Sequence, residues 1–235
     1  MEFPGLPSAN AEIRSVRVPR LLCYDSFHRV LTMEDAGELP TLKSWPRADT
    51  LPKQIISVGQ GLCAYLAHIH NTTANDSALK GMFASNTIAK NVYSSVYFAA
   101  LPAATEKFGY TQPFIAEAAQ VAANEVLTAN EAWTVGDFWT GNVLVSAPDG
   151  HDEPEVTIPD LELAKPGTEA FDIGHMGAEM LCLARFRHQD QGSLLMRTFF
   201  QAYRAKRKAA SMLRQWQSEC EFVEQVPMCC FETTC

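Results

Sequence analysis

The chain has 235 residues, 47% of them hydrophobic, and a net charge of -8 from 19 basic and 27 acidic side chains. That length and apolar content can bury a sizeable core as one domain or two small ones. No apolar run approaches the roughly 20 residues needed to span a bilayer, and the acidic balance argues against a nucleic-acid binder, which needs Lys and Arg clustered against phosphate. The opening Met1-Glu2-Phe3-Pro4-Gly5 lacks the basic start and apolar core of a secretion signal. A cytoplasmic location with no nucleic-acid and no membrane partner is therefore the default expectation, and the oligomeric state is not legible.

In chain order, Val16 to Cys23 and Val30 to Met33 read as two short strands joined by Tyr24-Asp25-Ser26, which has turn composition. A loop carrying Pro40, Pro46 and Pro52 leads into a helix from Lys53 to His70. Further helices are expected over 77–101 and 112–130, the second rich in Ala, Glu and Leu, which lose little on entering a helix. Val143-Leu144-Val145 and Val156-Thr157-Ile158 read as short strands. Two more helices follow over 172–186 and 193–216, and 217–235 reads as a loose tail with no internal repeat or low-complexity segment anywhere.

Seven cysteines, an odd number without a signal peptide, point to reduced thiols. Cys23, Cys63 and Cys182 lie in apolar surroundings and are expected in the core, while Cys220, Cys229, Cys230 and Cys235 match no zinc pattern. His68 and His70 are two apart and point to different sides of a helix, whereas joint metal ligation from one face wants a spacing of three or four. His70 is expected to end its helix near Asn71, and His175 to be packed or at the surface. The basic run Arg204, Lys206, Arg207 and Lys208 reads as a solvated helix face.

The chemistry concentrates in Gly136-Asp137-Phe138-Trp139-Thr140-Gly141-Asn142, where an Asp stands five residues before an Asn. In a kinase-type loop that Asp accepts the proton of a substrate hydroxyl, while the Asn holds a metal ion on the phosphates. Downstream, Asp160-Leu161-Glu162 ends an apolar stretch and offers a second metal-binding carboxylate. Gly-Asp and Gly-Asn pairs also mark ordinary turns. The order helix, loop, strand, turn, strand, acid is what distinguishes a phosphotransferase site from such turns. Phe138 and Trp139 are expected to anchor the loop by packing.

These pieces, with Phe171-Asp172-Ile173-Gly174, resemble the aminoglycoside phosphotransferase-like group, which includes choline, ethanolamine and methylthioribose kinases. Two upstream segments agree. Val18-Pro19-Arg20-Leu21-Leu22 followed by Val30 to Asp35 looks like the last strands of that family's small lobe and its hinge, and Leu66 to His70 looks like the end of its first large-lobe helix. The resemblance covers Val16 to Phe200. It implies Asp137 as the catalytic Asp, Asn142 and Asp160 as magnesium ligands, Glu162 as a supporting acid, and Asp172 as a brace for the catalytic loop. Glu34 and Asp35 would lie at the hinge, where adenine meets backbone groups, their own side chains being solvated acids.

The chain departs from the family pattern with Val135 where a His is usual, and with Pro159, which has no backbone N–H to donate, directly before Asp160. Residues ahead of Val16 contain neither a Gly-rich loop nor a Lys. The resemblance thus implies an α+β, protein-kinase-like fold in an N-terminally truncated form. Residues 1–35 would be a remnant of the small β lobe and hinge, 36–216 a mostly helical large lobe, and 217–235 a C-terminal tail. The function implied is a transferase, an ATP- and Mg2+-dependent kinase acting on a hydroxyl of a small-molecule substrate. The alternatives are a catalytically impaired fragment or pseudokinase serving as a binding module, and a plain helical interaction domain.

Overall fold

The architecture comes from a computed structural model that describes residues 15–47, 49–74, 76–82, 86–146 and 153–207. Its centre is helix α1, Pro52–Ala74, which begins with a proline whose fixed φ suits a first helical turn. Ile55, Val58, Leu62, Leu66 and Ile69 recur three or four residues apart along it and are fully buried. Helix α7, Gln189–Lys206, sets Leu195, Phe199 and Tyr203 at a spacing of four into the same core, and α6, Glu169–Phe186, adds Met176, Met180 and Leu183. Each such side chain contributes roughly 1.5 to 3 kcal/mol by leaving water, so these three helices form the platform on which the loops sit.

Helix α1 runs past the end expected at His70. Its last turn is held by tertiary contact: Thr73 Oγ1 accepts the Trp133 backbone N–H at 2.8 Å. The segment read as one helix over 77–101 is instead α2 (Ser77–Met82), α3 (Thr87–Tyr93), a π-helical turn Ser94–Ala99 and α4 (Leu101–Glu106). Two local causes act. Asn86 caps α3 by accepting the Ala89 N–H at 3.2 Å, and Pro102 cannot donate to the Phe98 carbonyl four residues back, so regular α bonding lapses before it. Helix α5, Pro113–Thr128, lies within its expected span.

The strand reading of Val16 to Cys23 also divides. Strand β1 (Val16–Arg17) ends before Pro19, and β2 (Leu21–Asp25) starts a hairpin with β3 (Val30–Met33). β1 instead pairs in parallel with β6 (Glu155–Thr157), which pairs antiparallel with β5 (Leu144–Ser146) through Val145 opposite Val156. A separate two-stranded sheet joins β4 (Ala132–Thr134) to β7 (Lys165–Gly167), neither of which the sequence pattern reveals.

Cys63 is buried as expected, but Cys23 and Cys182 are exposed. Cys23 lies on β2, where the hairpin leaves both faces in solvent, and Cys182 falls on the outer side of α6 between buried Met180 and Leu183. Arg204 is exposed on α7, whereas Arg207 is not a solvated cation: it pairs with Glu169 and donates to Asn71 Oδ1 at 2.6 Å. Lys208, the continuation of the last helix towards residue 216, and the tail cysteines lie outside the described residues. Among the described residues no helix is long and apolar enough to cross a membrane.

Candidate active site

The loop that carries Asp137 and Asn142 is a short bridge between two sheets. It leaves β4 at Thr134, turns at Gly136, forms a 3-10 turn over Thr140–Asn142 and enters β5. Gly136 has φ 87°, and a Cβ there would run into the Leu163 carbonyl and lie 2.7 Å from Lys165 Nζ. Glycine is the residue that fits such a left-handed, crowded turn. Phe138, next but one, is 1% exposed and packs into the core, as the anchoring expectation requires.

That turn leaves Asp137 half-buried at the loop's crest. Its Oδ1 accepts the Tyr97 hydroxyl at 2.6 Å, and its Oδ2 accepts Asn142 Nδ2–H at 2.7 Å. Tyr97, on the π-helical turn, was not singled out by the sequence. Burial and the Asp137 carboxylate both push its pKa up, since losing the phenol proton beside a carboxylate puts two negative charges together.

Asp172, in the first turn of α6, clamps the loop from below. Its Oδ2 accepts the Val135 N–H at 2.7 Å and its Oδ1 the Gly136 N–H at 2.9 Å. His70 Nε2 lies 3.2 Å from the same carboxylate, and His70 Nδ1 lies 2.8 Å from the Tyr203 hydroxyl. Tyr203 donates to Glu169 at 3.0 Å, and Glu169 pairs with Arg207. Val135 thus packs into the core, and the imidazole beside the brace comes from α1 instead of the loop. The one available signal was a histidine inside an apolar helix, which needs a partner when buried.

Lys165, also not anticipated, is 2% exposed. Its ammonium donates to the Leu163 carbonyl at 3.3 Å and lies 3.8 Å over the Tyr93 ring. Burial pushes its pKa down to about 8, against the pull of Asp172 and Asp137.

The β5–β6 register, Leu144 opposite Thr157, brings the chain before β5 and the chain after β6 to one end of the hairpin. Asn142 and Asp160 leave from that end. Ile158 still donates to Arg17 at 2.9 Å, and pairing stops at Pro159, which has no N–H. Asp160 Oδ1 accepts the Glu162 N–H at 3.1 Å, and Glu162 is exposed. Among the described residues no group of three His, Cys, Asp or Glu side chains could hold a metal. Asn142, an amide, falls outside that set.

In the segment the resemblance reads as a hinge, Glu34 donates its N–H to the Arg20 carbonyl at 2.8 Å and accepts the Arg20 N–H at 3.3 Å. Asp35 accepts the Gly37 N–H at 2.9 Å. Both side chains are exposed, the solvated state expected of them. On the other flank, Thr140 donates to Glu179 at 2.9 Å, and Lys43 lies 5.1 Å over the Trp139 ring.

No protein-family model matches the chain. A 4-hydroxytryptamine kinase of Psilocybe cyanescens is 27% identical over 199 residues, covering 83% of this chain and 55% of that protein. Its namesake from Psilocybe cubensis is 26% identical over 195 residues, covering 80% and 53%. The chain is thus similar in sequence to two proteins named as small-molecule kinases. It spans about half the length of the curated relatives it matches. A glucosamine kinase structure overlaps 80% of this chain and 54% of its own at 19% identity, with a TM-score of 0.48. The order of elements around Asp137, Asn142 and Asp160 is helix, short strand, loop, strand, strand and acid, which keeps the order expected of a kinase-like fold and adds β4 before the loop.

Proposed function

We propose that the chain serves ATP-dependent transfer of a phosphoryl group to a hydroxyl of a small molecule. The observation that carries the reading is the 2.6 Å hydrogen bond from a hydroxyl to Asp137 Oδ1, the contact a base makes with the proton it will take. In the reaction the acceptor oxygen forms its bond to the γ-phosphorus as the bond to ADP breaks, and the hydroxyl proton passes to Asp137. Positioning carries most of such catalysis, and Asp172 and Gly136 supply it by fixing the loop.

Magnesium and nucleotide belong to the same proposal. The Asn142 side-chain carbonyl and the second oxygen of Asp160 accept no protein hydrogen bond among the described residues, and a hard divalent cation takes oxygen ligands of this kind. When bound, the ion would neutralise charge on the phosphates. Glu162 would support that end of the hairpin, and the backbone of Glu34 and Asp35 would meet the adenine. In domain terms, the described residues up to 35 would belong to the small lobe and hinge, and those from 36 to 207 to the large lobe.

Support for the substrate class comes from the relatives, named for kinase activity on 4-hydroxytryptamine. The test is incubation with ATP, magnesium and a panel including 4-hydroxytryptamine and glucosamine, with mass spectrometry of the products. Phosphorylated product that falls at least about a hundredfold in Asp137→Asn is expected. Transfer that survives this substitution, or no transfer by protein that binds both ATP and acceptor, overturns the reading.

A further inference from the structure

Four buried side chains beneath the Asp137 loop, Asp172, His70, Tyr203 and Glu169, form one run of hydrogen bonds whose protons can be counted. At one end both oxygens of Asp172 accept a backbone N–H, Oδ2 from Val135 at 2.7 Å and Oδ1 from Gly136 at 2.9 Å. A backbone N–H only donates, so Asp172 stands as an ionised carboxylate that only accepts. At the other end Glu169 accepts from Arg207 and from the Tyr203 hydroxyl, the latter at 3.0 Å. Burial and then the charge of Glu169 push the Tyr203 pKa up, so the phenol keeps its one proton and gives it to Glu169.

His70 lies between these ends, with Nδ1 2.8 Å from the Tyr203 hydroxyl and Nε2 3.2 Å from Asp172 Oδ2. Both lengths are those of an N–H donating to oxygen. The phenol has no second proton to offer Nδ1, and Asp172 has none to offer Nε2. Both ring nitrogens therefore donate, which only the imidazolium form can do. Charge gives the same answer independently. The side chains of His70 and Asp172 are 0% exposed and that of Glu169 4%. A neutral ring leaves two buried carboxylates in this run against Arg207 alone, whereas an imidazolium makes the signs alternate from Asp172 through His70 and Glu169 to Arg207. Buried charges persist where they are paired in this way. Lys165 also acts on Asp172, but its ammonium donates to the Leu163 carbonyl.

We infer that His70 is a buried imidazolium and the positioning residue of the Asp137 loop, donating to the Asp172 brace on one side and to Tyr203, and through it Glu169 and Arg207, on the other. Its service to catalysis rests on the phosphotransfer reading, but its protonation and its hold on the loop do not. One ring thereby ties α1, α6 and α7 to the two peptides that aim Asp137. Losing it leaves buried acceptors unpaired as well as a gap.

Nitrogen NMR of the imidazoles in the 235-residue protein, in neutral buffer, tests the protonation, with the His70 ring assigned through its contact with Tyr203. Two N–H correlations from the His70 ring are expected. One correlation and one bare ring nitrogen overturn the inference and move the remaining proton to Glu169. Amide hydrogen exchange tests the hold on the loop. His70→Leu removes both donors, and the Val135 and Gly136 amides should then exchange at least about tenfold faster relative to those of Leu62 and Leu66 in α1. His70→Gln fills similar space but returns an N–H towards Asp172, so it should recover most of the protection. Unchanged exchange in His70→Leu overturns the positioning role, as does a Gln variant no better than Leu. Should His70→Leu fail to fold, Tyr203→Phe decides in its place. It takes the acceptor from Nδ1 and with it the ring's charge, so the two amides should exchange roughly threefold faster, and unchanged exchange overturns the role. Neither measurement reads phosphate transfer, so absence of transfer sinks the proposed function and leaves this inference standing. A neutral His70 ring does the reverse.

Discussion

The carboxylate of Asp172 holds the backbone N–H of Gly136 at 2.9 Å, and its other oxygen holds Val135 at 2.7 Å, so one side chain fixes both peptides that aim Asp137. Asp172→Asn keeps the shape but loses one acceptor, leaving a buried N–H facing an amide N–H. Stability is expected to fall by about 1 to 3 kcal/mol, measured by urea unfolding. Any phosphate transfer should fall with it, because the loop that carries the base loosens.

Asp137→Asn is expected to behave differently. Asp137 is half-buried, and its partners Tyr97 and Asn142 are also partly open to water. An amide can still accept from Tyr97, so unfolding free energy should change by less than about 1 kcal/mol. Any phosphate transfer should be lost, since an amide takes no proton. A thermal midpoint that collapses in this variant would recast Asp137 as a structural residue.

Much of the segment around Asp137 was legible because its contacts are local. Asp137 and Asn142 lie on one loop, and Phe138 announced its packing by being aromatic in a polar run. What the sequence concealed depends on contacts between distant segments. His70 and Asp172 are 102 residues apart, Tyr97 and Asp137 are 40 apart, and nothing in their own neighbourhoods points from one to the other. Strands β4 and β7 are three residues each, too short to show a period of two. The helix read through 77–101 failed where Asn86 and Pro102 redirect backbone bonding, a local signal outweighed by the surrounding helix formers.

Gly136→Ala tests the turn itself. The φ of 87° is strained for any residue with a Cβ, and the added carbon would meet the Leu163 carbonyl and the Lys165 ammonium. Strain and crowding together are expected to cost about 2 to 4 kcal/mol. Chemical denaturation gives the number, and a loss under about 0.5 kcal/mol would show that the loop can turn another way.

Lys165 gives a pH signature with a definite sign. Burial lowers its pKa from the ordinary 10.5 to about 8. Below about pH 8 both folded and unfolded chains hold the proton, and the folded state carries the full cost of a desolvated ammonium. Between 8 and 10.5 the unfolded chain holds more of the proton than the folded one, so stability rises with pH across that window. Between about pH 7.5 and 9.5 the gain from this group should be about 2 kcal/mol. The buried tyrosines Tyr65, Tyr93 and Tyr203 have pKa values pushed above 10, so they act in the opposite direction only at higher pH. Lys165→Met keeps the bulk and removes the titration, and its stability should lack that rise. Urea unfolding of both proteins across the window is the measurement. Parallel pH profiles would mean that Lys165 reaches water in the folded protein and that its amine is not the charge buried beneath the loop that carries Asp137.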